Sequence, residues 1–323
     1  MIIETYRIWK QEEYSYAHAF GFIPHLHSYI HDEDDTDRPC MLVVPGGGYC
    51  FVSPSEGEPV ALRFYEKGYQ VFVLTYTVNL AHQIPLKMQP LHDLSRAVRY
   101  LRKYAGRFHL IEDQVSVCGF SAGGHLCASL CVHWEDIEEQ AEEYAGISNR
   151  PDAAILSYPV ITAGEKAHRD SFTCLLGEDA SEQELEYMSL ETQVTEKTPP
   201  VFLWTTVTDD AVPAENSELF ADACRKNGVV YALHMFSYGG HGLSAADQQW
   251  ANMENENPYT MEQHERVLEK VHAGELSISK EILAGFEPSQ EDEELQPGRM
   301  PNTEVAVWME MADAFLKDLY LRE

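Results

Sequence analysis

The sequence predicts an α/β fold with a mostly parallel central sheet that is flanked by helices on both faces. Short apolar segments, rich in Val, Leu, Phe and Tyr and bounded by turn residues, have the composition of buried strands. Amphipathic stretches separate these segments, and such strand–helix alternation is typical of parallel sheets. The chain is 323 residues long and 44% hydrophobic, so it can bury one large core or two small ones.

Six strands and three helices follow from this pattern. The strands are predicted at residues 40–44, 70–76, 114–118, 153–158, 201–207 and 230–236. The helices are predicted at residues 58–67, 91–104 and 213–227. The third helix starts with proline and ends before Gly228, which is the usual arrangement at helix ends. Residues 5–9 and 20–31 are predicted to add an antiparallel pair at one edge of the sheet.

The strand–helix alternation stops near residue 247. From there to residue 303 the sequence is acidic and has no strong strand signal, and it predicts short helices at 260–272 and 278–283 and an exposed loop at 287–294. A final amphipathic helix is predicted at 304–321, and its buried face is expected to carry Val307, Met311, Phe315 and Leu319. We therefore expect one domain over residues 1–323, with an acidic insertion of helices and loop at 247–303 before the last helix.

Charge and cysteine usage limit the partners and the compartment. The chain carries 53 acidic and 23 basic side chains, a formal charge of −30, which repels nucleic acid and anionic membranes. No apolar run approaches the roughly 20 residues that cross a bilayer, and the first residues lack the pattern of a signal peptide. The seven cysteines are scattered without CxxC spacing, so we expect a cytoplasmic protein with reduced, buried thiols.

The most informative motif is a Gly-x-Ser-x-Gly sequence, Gly119-Phe120-Ser121-Ala122-Gly123, which directly follows a predicted strand and precedes a helical pattern. In that context the serine lies on a tight strand-to-helix turn that exposes its hydroxyl at the top of the sheet. The amide of Ala122 is then free to donate to an oxyanion. An ordinary serine in a glycine-rich turn is the alternative, but the strand before and the helix after the motif favour a nucleophile at Ser121.

A second glycine-rich segment, Gly46-Gly47-Gly48, ends the strand predicted at 40–44. Consecutive glycines let the backbone approach a ligand closely and turn its amides toward it. In a serine hydrolase this loop completes the oxyanion hole, and we assign that role to Gly47 and Gly48. Tyr49, the next residue, is predicted to bind substrate. A dinucleotide-binding loop is excluded because the Gly-x-Gly-x-x-Gly spacing is absent.

A nucleophilic serine needs a base and an orienting carboxylate, which follow it along the chain in the order acid, then histidine. Asp209 and Asp210 both lie just past the strand predicted at 201–207, and either could be the acid. His241 lies in a glycine-rich loop after the strand predicted at 230–236. Its context singles it out among 14 histidines, whereas His125, on the helix after Ser121, is assigned to packing.

These segments resemble the α/β hydrolases of the bacterial esterase and lipase group, close to acetyl-xylan-esterase-like and sugar-ester hydrolases with a Pro-Gly-Gly-Gly-Tyr loop. The similarity lies in residues 44–49, 56–61, 119–126, 157–161, and 209–217 with 241–243. In that family the acid stands in an Asp-x-x-Val-Pro sequence. Asp209 has this spacing to Val212 and Pro213, whereas Asp210 lies one residue too close to them, so the resemblance selects Asp209. Pro45 stands where hormone-sensitive-lipase-like enzymes have histidine, which separates the chain from that subgroup.

The predicted function is that of a serine carboxylester hydrolase with the triad Ser121, Asp209 and His241. The resemblance implies short-chain acyl esters as substrates, acetyl esters of sugars above all, and a homodimer as the assembly. No cofactor is expected, and no metal site, because His25 and His27 lack a third ligand. Two alternatives stay open, an amide or peptide hydrolase with the same triad (arylformamidase-like or oligopeptidase-like) and a non-catalytic binding protein on a hydrolase scaffold.

The negative charge is unevenly distributed along the chain. Residues 247–304 include 14 acidic and 4 basic side chains, so the insertion is far more acidic than the rest. Because this segment follows His241, we expect it to roof the active site and to disfavour anionic substrates.

Overall fold

The computed structural model describes residues 1–286 and 298–321, and its centre is an eight-stranded sheet in the order β1-β2-β4-β3-β5-β6-β7-β8. The strands are β1 Thr5–Arg7, β2 His25–Tyr29, β3 Arg38–Val44, β4 Gln70–Thr75, β5 Leu110–Phe120, β6 Ala153–Ser157, β7 Val201–Thr206 and β8 Tyr231–Phe236. Neighbours from β4 to β8 are parallel, whereas β1 and β2 form the predicted antiparallel addition at one edge. The predicted fold class is confirmed.

Helices cover both faces of the sheet. They are α1 Glu58–Glu66, α2 Gln89–Lys103, α3 Ala105–Phe108, α4 Ser121–His133, α5 Arg169–Leu176, α6 Glu182–Tyr187, α7 Glu215–Lys226, α8 Gln248–Ala251, α9 Glu262–His272, α10 Lys280–Phe286 and α11 Trp308–Tyr320. Apolar side chains of α2, α4 and α7 pack on one face, and those of α1 and α11 on the other. None of the helices that the structure describes combines the length and apolarity needed to cross a bilayer.

The C-terminal helix differs from its prediction. It begins at Trp308 after a 3-10 turn, Val305–Val307, and it buries Trp308 completely while Val307 is 45% exposed. The indole stacks on Trp204, with ring centroids 5.2 Å apart, and its Nε1 donates to the carbonyl oxygen of Ser244 at 2.8 Å. The prediction that Val307 lies on the buried face is wrong, because the much larger apolar surface of its neighbour occupies the core instead.

The insertion is docked on the body of the fold through α9. The buried side chain of Gln263 accepts a hydrogen bond from the amide of Val78 (2.9 Å) and donates to its carbonyl oxygen (2.7 Å). The helices predicted at 260–272 and 278–283 correspond to α9 and α10. The loop predicted at 287–294 lies outside the described residues.

Replacing Trp308 with alanine should reduce the free energy of unfolding by about 3–5 kcal/mol, because the change empties a large fully buried site. Val307→Ala is the matched control, and its effect should stay within about 0.5 kcal/mol since the valine is largely exposed. Urea denaturation followed by tryptophan fluorescence and circular dichroism measures both. Equal losses for the two variants would contradict the orientation of α11.

Candidate active site

The turn from β5 into α4 holds Ser121 in a backbone conformation that few non-glycine residues adopt, with φ of +51°. Close backbone contacts make this turn possible. A Cβ on Gly123 would lie 2.2 Å from the carbonyl oxygen of Val44, and one on Gly119 would lie 2.3 Å from that of Gly123. The glycines of the motif are therefore required by sterics, and they leave the Ser121 hydroxyl at the carboxyl end of the parallel sheet.

The structure brings Ser121, His241 and Asp209 into one hydrogen-bonded chain. Nε2 of His241 lies 2.8 Å from Oγ of Ser121, and Nδ1 lies 2.8 Å from Oδ2 of Asp209. Because a carboxylate offers only acceptor atoms, the network assigns the ring proton to Nδ1 and leaves Nε2 to accept from the serine. These contacts have the geometry that a nucleophile, a general base and an orienting acid require, and the assignment of those roles to these residues stays a prediction.

The two candidate acids have different positions. The Asp209 side chain is 1% exposed, and its second oxygen accepts hydrogen bonds from the amides of Ala211 (3.0 Å) and Val212 (2.8 Å). Asp210 instead accepts from the backbone amide of His241 at 2.9 Å, and this hydrogen bond lowers the pKa of Asp210. Asp209 thus orients the imidazole ring, while Asp210 holds the loop that carries it.

The glycine loop lies directly against the nucleophile turn. A Cβ on Gly46 would be 2.8 Å from the Cβ of Ser121, so only glycine fits there, and the Gly46 amide already donates to Glu56. Gly47 and Gly48 have φ values of +118° and +62°, and both line the pocket beside Ser121. The amide of Ala122 is in the first turn of α4, where it has no partner within the helix. The role of these three residues as oxyanion donors stays a prediction.

Glu56 is a site residue that the sequence reasoning missed. Its side chain is buried, and it accepts hydrogen bonds from the amide of Gly46 (2.7 Å) and the hydroxyl of Tyr158 (2.8 Å). That hydroxyl in turn accepts from the amide of Ser244 at 3.0 Å. Burial raises the pKa of Glu56. One carboxyl group therefore links the glycine loop to the end of β6 and to the loop after His241.

The prediction that Tyr49 binds substrate disagrees with the structure. Tyr49 is 1% exposed, and its hydroxyl donates to Nδ1 of His125 at 2.8 Å rather than facing the pocket. His125 donates from Nε2 to the carbonyl oxygen of Met188 at 3.0 Å, and burial lowers the pKa of His125 to about 4. A neutral, packed His125 agrees with its assignment to packing. Tyr49 follows three glycines in a left-handed turn (φ +63°), which directs its ring inward.

A pocket of about 370 Å³ opens above Ser121. Besides the predicted residues it is lined by side chains that no motif revealed, among them Phe51, His168, Asp170 and Phe286. Phe286 belongs to α10 of the insertion and packs edge-on against Phe51, with ring centroids 5.5 Å apart. The described part of the insertion therefore reaches the pocket, as expected. Burial lowers the pKa of His168, so this residue offers a neutral imidazole to a ligand.

One group of three side chains in the described ranges has the composition of a metal site. Cys50, His82 and Cys174 place their ligand atoms within 4.8 Å of one another, and Cys50 also lines the pocket. The sequence prediction of no metal site did not consider these residues, because they are far apart along the chain.

The chain is similar to known esterases and carbohydrate-active enzymes. The profile of a family described as BD-FAE matches residues 26–224. The chain is 48% identical over 256 residues to endo-1,4-beta-xylanase B of Butyrivibrio fibrisolvens (79% of this chain, 40% of that protein). It is 28% identical over 209 residues to acetylxylan esterase of Xylanibacter ruminicola (63% of this chain, 40% of that protein). It thus spans about 40% of the length of either relative.

Solved structures give the same result. The acetyl ester-xyloside bifunctional hydrolase from Caldicellulosiruptor lactoaceticus is 35% identical with a TM-score of 0.71, over 85% of this chain and 97% of that one. MGS-M1, an α/β hydrolase from a deep-sea metagenome library, is 26% identical with a TM-score of 0.64, over 99% of this chain and 98% of that one. The resemblance inferred from the sequence is confirmed, and these relatives agree with the predicted enzyme class.

Glu56→Gln should slow labelling of Ser121 by a fluorophosphonate probe about tenfold or more, because one amide oxygen cannot accept from both Gly46 and Tyr158 and the oxyanion loop loses its position. The variant keeps the size of the side chain but loses one buried acceptor, so its melting temperature should fall modestly, and circular dichroism should show that it is folded. Glu66→Gln, at an exposed position of α1, is the control. Unchanged labelling in Glu56→Gln would show that the loop does not depend on this carboxyl group.

Proposed function

The chain belongs to the BD-FAE family within the α/β hydrolases, and from that premise we propose that it is a serine carboxylester hydrolase acting on short acyl esters of sugars. The observation that carries the proposal is the hydrogen-bonded chain from Asp209 through His241 to Ser121, on a strained turn at the base of a pocket. Such a chain activates a hydroxyl that is otherwise a poor nucleophile.

In the proposed reaction, Oγ of Ser121 attacks the ester carbonyl while Nε2 of His241 takes its proton. The amides of Ala122 and of Gly47 or Gly48 stabilise the oxyanion, each by about 3–4 kcal/mol. The imidazolium, held by Asp209, then protonates the leaving alcohol as the tetrahedral intermediate collapses to an acyl-enzyme. Water, deprotonated by His241, attacks the acyl group and releases the acid, which restores the free serine.

The substrate class rests on the pocket and on the relatives. The pocket combines the aromatic rings of Phe51 and Phe286 with the polar groups of His168 and Asp170, a mixture that suits an alcohol carrying several hydroxyls. Two relatives are named as an acetylxylan esterase and an acetyl ester-xyloside hydrolase. We extend the acetyl and xylose-derived preference to this chain as a proposal. The carboxylate of Asp170 and the acidic insertion disfavour anionic acyl groups.

We also propose that the protein works inside the cell on a small-molecule ester, without nucleic acid or membrane as a partner. All seven cysteines carry free thiols, whereas exported proteins usually cross-link theirs. The formal charge of −30 supports the exclusion of polyanionic partners. The homodimer that the resemblance implies stays a prediction.

Ser121→Ala should abolish hydrolysis of p-nitrophenyl acetate and of acetylated xylo-oligosaccharides, because no other group in the proposed mechanism forms the acyl-enzyme. Acetate release measured for acetyl esters, formyl amides and short peptides tests the enzyme class at the same time. Preserved circular dichroism and melting temperature show that the variant is folded. Retained ester hydrolysis in this variant, or a parent enzyme faster on amides or peptides than on acetyl esters, would overturn the proposal.

The two neighbouring aspartates allow a matched comparison. Asp209→Asn should lower kcat by about ten-thousand-fold, the effect known for the triad acid, because an amide stabilises the wrong imidazole tautomer. Asp210→Asn keeps an oxygen that accepts from the amide of His241, so its loss should be far smaller. Steady-state kinetics with p-nitrophenyl acetate measure both variants. A greater loss in Asp210→Asn would reverse the assignment of the acid.

A further inference from the structure

Two thiols and one imidazole meet beside the glycine loop in an arrangement that the proposed hydrolysis does not use. Sγ of Cys50 lies 2.7 Å from Sγ of Cys174, and Nε2 of His82 lies 3.2 Å from the first sulfur and 3.3 Å from the second. The three residues come from different segments, namely the loop after Gly48, the loop after β4, and α5. The fold therefore assembles this cluster from distant parts of the chain.

Asn79 holds the backbone on both sides of the sulfur pair. Its amide donates to the carbonyl oxygen of Tyr49, next to Cys50, at 2.8 Å. Its side-chain nitrogen donates to the carbonyl oxygen of Cys174 at 3.1 Å, which also accepts from the amide of Leu86 at 3.4 Å. Because one residue fixes the main chain beside each cysteine, the close approach of the two sulfurs is imposed by the surrounding structure.

The two thiols differ in access and in acidity. Cys50 lines the active-site pocket, whereas Cys174 is buried. The hydrogen bond from the Cys174 thiol, and then that from His82, lowers the pKa of Cys50 against the opposing effect of burial. The same hydrogen bond and burial raise the pKa of Cys174. An accessible thiolate next to a protonated second thiol is the usual form of a peroxide-sensitive pair.

We propose that Cys50 and Cys174 are a reversible oxidation site, at which a peroxide converts the two thiols into a disulfide. The Cys50 thiolate attacks one peroxide oxygen, breaks the O–O bond and becomes a sulfenic acid, while the released hydroxide takes the Nε2 proton of the His82 imidazolium and leaves as water. The Cys174 thiol then attacks the Cys50 sulfur and displaces a second water. His82, whose Nε2 lost its proton in the first step, accepts the proton of Cys174 and delivers it to the departing hydroxyl. One peroxide and two thiols thus yield one disulfide and two waters.

The distances favour this chemistry over a bound metal ion. A tetrahedral zinc ion with Zn–S bonds of about 2.3 Å keeps its sulfur ligands roughly 3.8 Å apart, so the sulfur pair would have to open by about 1 Å. A disulfide of about 2.05 Å needs a closing of about 0.7 Å, a smaller displacement than the metal ion requires. A disulfide involves only the two sulfur atoms. His82 is therefore not needed as a metal ligand and can carry the proton.

The disulfide would connect the loop of Gly47 and Gly48 to α5, where Asp170 also lines the pocket. It would close a loop between residues 124 positions apart in sequence, and such long closures stabilise a fold by restricting its unfolded state. We expect the oxidised protein to melt at a higher temperature than the reduced one.

The test is thiol counting on the full chain, after reduction and treatment with a chelator, before and after addition of one equivalent of hydrogen peroxide. Two of the seven thiols should disappear, one disulfide-linked peptide pair containing Cys50 and Cys174 should appear in a tryptic map, and dithiothreitol should restore both thiols. Cys50→Ser and Cys174→Ser should each prevent the cross-link, and His82→Gln should slow it severalfold. Cys224→Ser, a buried cysteine of α7, is the matched control and should behave as the parent.

Seven titrating thiols after peroxide treatment, or a cross-link between other cysteines, would overturn the proposal. So would one zinc ion per chain that resists removal by a chelator in the parent and is lost in Cys50→Ser, since the cluster would then be a metal site. The tryptic peptide 11–63 contains both Cys40 and Cys50, so fragmentation of the linked peptide by tandem mass spectrometry identifies the cysteine and decides the outcome in the parent even if a variant does not fold. Thiol counting also needs no turnover, so it is independent of the proposed esterase activity.

Discussion

At the turn from β5 into α4, three backbone segments approach so closely that their contacts determine the geometry of the candidate active site. Gly119 and Gly123 are within contact distance of carbonyl oxygens that leave no room for a Cβ, and Gly46 meets Ser121 from the other side. These contacts hold Ser121 at a φ that costs roughly 1–3 kcal/mol for a residue with a side chain. The buried strands β3 and β6, which pair with β5 on either side, hold the turn in this geometry.

Around that turn, the loops of the site are held together by buried hydrogen bonds between their polar groups. The carboxyl group of Glu56 accepts hydrogen bonds from the amide of Gly46 in the glycine loop and from the hydroxyl of Tyr158. The Tyr158 hydroxyl accepts from the amide of Ser244, and the carbonyl oxygen of Ser244 accepts from the indole of Trp308. The C-terminal helix therefore supports the segment that carries His241, although its sequence lies beyond the insertion. Preorganised polar groups of this kind stabilise transition states because they need no rearrangement during the reaction.

Sequence reasoning recovered the features that leave a local pattern. The strands were predictable because each is a continuous apolar run bounded by turn residues, and β6, predicted at 153–158, is found at Ala153–Ser157. Ser121, Asp209 and His241 were placed by a motif, by chain order and by resemblance. Helices α5 and α6 were not predicted, because they are short segments of the crossover between β6 and β7. The pairing of Glu56 with Tyr158, 102 residues apart, leaves no local signal.

The order of the strands has a consequence for how the candidate active site assembles during folding. Ser121 and His241 are 120 residues apart in sequence, and their hydrogen bond exists only when β5, β6, β7 and β8 have paired in register. Contacts of such long sequence separation form late, since the entropy of loop closure must be overcome first. Nascent or refolding chains can therefore hold much of their helix and strand content before Ser121 and His241 meet, and the hydrogen bond between these two residues marks the completed sheet.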